Sequence, residues 1–158
     1  MCQSISSHRQ RLENLFSKIS EVSDFAAQSE WSKYLCILVS GFIEESLRTL
    51  LEEYTKKHSA PNIQNFVEKQ LKTIINCNTN RIIEVLKKFS NDWAQEFEHQ
   101  IKEKSSIDDS KIKNSIDSVI ANRNSIAHGK NVGITYSRIS VYYADVKKAV
   151  KTLEDIIK

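Results

Sequence analysis

Arg123 and His128 lie five residues apart in the stretch ANRNSIAHGKN, residues 121–131, and bring a permanent cation and a proton carrier to one place in the chain. A guanidinium grips a phosphate through its planar fork, and an imidazole gains and loses a proton near neutral pH. Such groups suit acid–base chemistry on a phosphate ester. The plain alternative is a helix end. Gly129 can take the left-handed conformation that closes a helix, and His128 would then face the orphan carbonyls at its C-terminus.

The apolar spacing of Ile112, Ile116, Val119, Ile120 and Ile126 predicts a helix reaching His128, with Ser106 and Asp109 as a variant capping box at its start. Arg123 falls seven residues after Ile116, on the apolar side of that helix. A guanidinium turned inward must snorkel, meet a carboxylate, or face a water-filled cleft or a subunit boundary.

The other elements follow from the same periodicity. A first helix carries Leu12, Leu15, Phe16, Ile19 and Val22 and ends near SEVSD. A long second helix runs from about Ser29 to His58, with a broad apolar band from Trp31 through Leu35, Val39, Phe42, Ile43, Leu47 and Leu51 to Tyr54 that marks it as central. Within it Gly41, costly in a helix interior, implies the close approach of another backbone. Pro61 opens a third helix with a buried stripe of Ile63, Phe66, Val67, Leu71, Ile74 and Ile75. Residues 82–101 form two short helices or one kinked at SND, and Thr135 caps a last helix built on Ile139, Tyr142, Tyr143, Val146, Val150, Leu153 and Ile157. The expected fold is all-α: one domain over residues 1–158, a bundle of about five to six helices around a long central second helix.

Composition agrees. Three glycines and one proline in 158 residues are too few for the tight turns of an antiparallel β protein. A net charge of +3 is too weak to identify a nucleic-acid partner by itself. Cys2, Cys36 and Cys77 are odd in number and far apart, which fits a reducing cytoplasm rather than a disulfide framework or thiolate zinc site. The longest apolar stretch, YLCILVSGFI, is half a membrane span, and the N-terminus lacks the apolar core of a signal peptide, so no membrane association is expected. Neither EFEH (residues 96–99) nor Asp108 and Asp109 has metal-site spacing, and Lys147, Lys148 and Lys151 read as a solvated face. No metal or cofactor is expected.

RNSIAHG, together with YLCILVSGFIEESLRTLLEEY and ITYSRISVYYADVKKAVKTLEDII, resembles the RiboL-PSP branch of the HEPN superfamily, all-helical proteins many of which are metal-independent endoribonucleases. The resemblance spans most of the chain and is strongest over residues 31–54 and 116–157. It implies that Arg123 and His128 are the catalytic pair, that Asn124 is the polar residue that usually follows the arginine, and that Glu44 occupies a supporting acidic position. The plain alternative for Glu44 is an ion pair with Arg48 one turn on. Some members carry a tyrosine two residues after the histidine, which a partner nucleotidyltransferase modifies; Lys130 stands there and departs from that pattern. Members often serve as toxins or phage-defence effectors, which implies an antitoxin or defence-system partner.

One histidine cannot easily act as base and acid in a single step, and His8, His58 and His99 lie in unrelated segments. Five residues along a helix rotate the two side chains to about 140° apart, so they do not naturally converge. A distortion at the helix end could bring them together, and a two-fold axis beside this helix would also gather two arginines and two histidines around one cleft; the resemblance implies the second arrangement, a homodimer with RNA as its substrate. Asn124, one turn before His128, can orient it, and Lys130 and Arg138 can hold flanking phosphates. The competing readings are a non-catalytic module binding RNA or a nucleotide, and a helical dimerisation domain with no ligand.

Overall fold

Asp24 starts the longest helix of the chain: its carboxylate accepts the Ala26 N–H at 3.0 Å, and the helix runs to His58. In this computed structural model, which describes residues 3–105 and 108–158, the helices are α1 (Gln3–Ser20), α2 (Phe25–His58), α3 (Pro61–Leu71), α4 (Thr79–Phe89), α5 (Asn91–Glu103), α6 (Lys111–Ala127) and α7 (Tyr136–Ile156). The described residues are all-helical apart from turns and loops, as expected. The count is seven rather than five to six. Ser90 makes the difference, because its extended backbone (φ −157°, ψ 128°) ends α4 while its Oγ accepts the Trp93 N–H and opens α5.

The central position of α2 follows from its apolar arc. Leu35, Cys36, Val39, Phe42, Leu47 and Leu51 are fully buried, and the helix packs against α1, α3, α6 and α7. The band is narrower than expected, since Trp31 is 47% exposed. No described helix is long and apolar enough to cross a membrane.

The stripe expected to bury α3 is a correction. Of its apolar positions only Leu71 is buried within the helix, with Ile74 just beyond; Ile63 and Phe66 are exposed, and so is Ile75 in the following loop. Periodicity reports an amphipathic helix but not whether another element covers its apolar side. Here α3 leans on α2, while α4 packs against α5, and a cleft of about 470 Å³ opens between α3 and α4, lined by Ile63, Phe66, Val67, Val85 and Phe89.

The start of α6 differs as well. Ser106, of the expected capping box with Asp109, lies outside the described residues, and the helix begins at Lys111. The hydroxyl that reaches its first turn is Ser105, which accepts the Ile112 N–H at 3.1 Å. Thr135 caps α7 as expected, accepting the Arg138 N–H at 3.2 Å. The solvated reading of the α7 lysines fits their partners: Lys147 pairs with Glu13, Lys148 with the buried Asp145, and Lys151 with Asp155.

Candidate functional site

The last turn of α6 closes as a Schellman motif. Lys130 N–H reaches Ser125 O at 2.9 Å, Gly129 N–H reaches Ile126 O at 3.0 Å, and Gly129 sits at φ +69°. These bonds satisfy carbonyls that a helix end otherwise leaves bare. His128 is the C-cap residue (φ −89°, ψ 12°), its N–H bonded to Asn124 O, and its side chain is exposed. The helix-end reading of HG is therefore right for the backbone, and the exposed imidazole has no hydrogen-bond partner among the described residues.

Arg123 turns inward as its position on α6 predicts and is half-buried. Its Nη1 donates to Asn76 Oδ1 at 3.3 Å and to Asn124 Oδ1 at 3.1 Å. Both acceptors are neutral amides, and among the described residues no carboxylate forms an ion pair with it. The cation is positioned without being neutralised, the condition in which a guanidinium binds an incoming phosphate most strongly.

Asn76 is the residue that sequence reasoning missed. It lies in the loop between α3 and α4 with φ +55°, the only non-glycine described residue in the left-handed region. Three ties from α2 hold it there. Glu44 Oε1 accepts the Asn76 N–H at 2.8 Å, and Arg48 donates to Leu71 O at 3.4 Å and Ile74 O at 3.2 Å. At the far end of the loop, Thr79 N–H donates to Asp117 of α6 at 2.8 Å, and Asn78 caps α4 through the Arg81 N–H. From this left-handed position the Asn76 side chain reaches Arg123. The one sequence signal was an asparagine, which tolerates the left-handed region better than most residues, in a helix-free NCN.

Glu44 thus reaches Arg123 only through Asn76. The expected alternative, an ion pair with Arg48, is not what forms, because Arg48 pairs with Glu45 at 2.8 Å. Asn124 is likewise redirected: its amide oxygen serves Arg123, and its link to His128 is the backbone bond alone. Lys130 is exposed two residues past His128, and Arg138 is exposed in the first turn of α7. No described bond joins either to Arg123. The close backbone approach expected at Gly41 is absent among the described residues, where a Cβ there would meet nothing within 4 Å.

Two buried cysteines lie beneath the site. Cys36 of α2 donates to Val119 O at 3.5 Å; burial pushes its thiol up to about 12, while the Arg123 backbone N–H pulls the other way. Burial raises the Cys77 thiol to about 12, Glu44 adding to the shift and Arg81 and Arg48 opposing it. Both are protonated thiols at neutral pH. A half-buried cation on one side and a free imidazole on the other leave phosphate binding and proton transfer as the chemistry this helix end can do.

The family model described as RiboL-PSP-HEPN matches residues 4–158. No curated protein and no solved structure matches significantly.

Proposed function

The chain belongs to the RiboL-PSP-HEPN family, and we propose that it is a metal-independent endoribonuclease acting as a homodimer, with Arg123 and His128 of both copies sharing one cleft. The observation that carries the reading is the Arg123 guanidinium, half-buried, aimed by Asn76 and Asn124, and paired with no described carboxylate. A cation needed only for packing would be cheaper to bury with a counter-charge.

In this mechanism Arg123 binds the scissile phosphate and stabilises its growing charge. His128 of one copy takes the proton from the 2′-OH, and the partner's His128 protonates the leaving 5′-oxygen. The products carry a cyclic phosphate and a 5′-hydroxyl, and DNA, lacking the 2′-OH, binds without being cut. Lys130 and Arg138 hold flanking phosphates. Service as a toxin or phage-defence effector, with an antitoxin or defence-system partner, fits a nuclease of this family.

The test is cleavage of single-stranded RNA in EDTA by purified protein. Wild type yields cyclic-phosphate ends, whereas His128→Ala, at an exposed position, stays folded and inactive. A second reading, a non-catalytic module that binds RNA or a nucleotide, draws on the cap: His128 and Gly129 complete a helix end without any chemistry. RNA binding without cleavage by wild type would favour it.

A further inference from the structure

The cleft between α3 and α4 is lined by none of Asn76, Arg123, Asn124 or His128. Because α3 packs on α2 while α4 packs on α5 and α6, the two short helices stand apart. The space between them, about 470 Å³, falls inside the roughly 300–1,000 Å³ range of small-molecule sites. Its walls are apolar, with Ile63, Phe66 and Val67 from α3 and Val85 and Phe89 from α4. Ile63 and Phe66 are 48% and 63% exposed. Large apolar side chains left in water along a concave wall mark a binding surface.

We propose that this cleft binds an elongated amphiphile with an acidic head, of the long-chain carboxylate class, its tail between α3 and α4 and its head at Lys88. The site is independent of the nuclease reading. Charge selects the head. The residues lining the cleft include two cations, Arg81 and Lys88, and no carboxylate. Arg81 already pairs with Glu84 at 3.3 Å, whereas no hydrogen bond or ion pair among the described residues holds Lys88. A free cation at the rim of an apolar cleft favours a ligand that is anionic at one end and apolar along the rest.

The helix directions fix the orientation. α3 runs back along α2, since Pro61 follows soon after His58 and Arg48 reaches Leu71 O and Ile74 O. α4 runs the other way, and its last residue, Phe89, meets the Trp93 ring at 6.3 Å while Tyr54 of α2 meets the same ring at 4.8 Å. Lys88 therefore stands where α3 begins. That helix start is the positive end of the peptide dipole, and Ala60 gives it no side-chain cap. A carboxylate head beside Lys88 gains from both, and the tail then lies along the cleft towards Leu71. Size favours a small molecule over a folded partner. Eleven-residue walls are roughly 16 Å long, and a mouth about one helix wide, ~10 Å, gives ~160 Å² against the ~800 Å² per partner of a standard protein interface.

Dodecanoate below its micelle threshold is the probe. In a Trp31→Phe background Trp93 is the sole tryptophan, and its contacts with Tyr54 and Phe89, which line the cleft, make its emission a local reporter. Isothermal titration gives the affinity. Dodecanoate binds saturably and shifts the Trp93 emission. Phe66→Asp removes part of the apolar wall and weakens binding at least about tenfold, and Lys88→Glu weakens it roughly fivefold. Both positions are exposed, so both variants melt within a few degrees of the background protein. Dodecyltrimethylammonium, with the same tail and the opposite charge, binds roughly fivefold more weakly than dodecanoate, and Lys88→Glu removes that preference. Absence of saturable binding, binding that leaves Trp93 emission unchanged, or an affinity that neither folded variant alters overturns the proposal. A cationic amphiphile that binds as tightly as dodecanoate overturns it as well.

Discussion

Replacing Asn76 by aspartate exchanges one oxygen acceptor of Arg123 for a charged one of the same shape. The amide oxygen now lies 3.3 Å from Nη1, so a carboxylate there would attract the guanidinium by about 1.3 kcal/mol at the dielectric of water and about 5 kcal/mol at an effective value of 20. Arg123 is half-buried, which places the true figure between these limits, and a phosphate must overcome this attraction to engage the same cation. Taking the lower limit, with about 1.4 kcal/mol per factor of ten, kcat/KM for RNA falls at least about tenfold. Asn76→Gly is the matched control. Glycine accepts the φ of +55° and keeps the N–H that Glu44 holds, while removing the hydrogen bond to Arg123, so its loss is smaller than that of Asn76→Asp. Cleavage of a single-stranded RNA in EDTA, with melting curves to confirm folding, gives the order wild type, glycine, aspartate. An aspartate variant that folds and cleaves like wild type would refute the idea that Asn76 leaves Arg123 available for phosphate.

Three further outcomes follow from the geometry. Gly129→Ala forces an L-residue into φ +69° and costs about 1–2 kcal/mol of stability, read by urea denaturation, with RNA cleavage reduced as the end of α6 frays beneath His128. His8 packs edge to face on Phe42, and burial, with Arg11 adding and Glu45 opposing, holds its imidazole below the usual range. The folded chain therefore prefers neutral His8, and this contribution to stability is present above about pH 6.5 and lost as the pH falls towards the lowered folded value; His8→Gln should lose less of its melting temperature on acidification than wild type. In a Cys2→Ser background the buried Cys36 and Cys77 should not react with a thiol reagent near neutral pH until the protein is unfolded, as their raised values require.

Much of the bundle was legible because burial writes itself into spacing. The band from Leu35 to Leu51 identified the central helix, Pro61 and Thr135 marked helix starts, and HG marked a helix end whose bonds prove to be a full Schellman motif. What periodicity cannot supply is the partner of a face. The stripe of α3 looks like a core stripe yet lines an open cleft, and Trp31 extends an apolar band into solvent. The candidate site was half legible for the same reason. Arg123, on the apolar side of its helix, announced an inward charge, but the residue that aims it lies 47 positions earlier in a loop, and nothing in NCN says that its carbonyl oxygen faces α6. The contact Glu44 makes was not legible, because its partner is a backbone N–H rather than the side chain of Arg48.

The central claim, that two chains contribute to one site, is tested most directly by diluting wild type with His128→Ala. Denatured together and refolded in equal amounts, about a quarter of the dimers are wild type and about half pair one chain of each kind; a mixed dimer holds a single histidine, so RNA cleavage falls to about a quarter of that given by the same total amount of wild type. Activity that stays at about half, as independent single-chain sites require, with mixed dimers demonstrably present, would contradict the account.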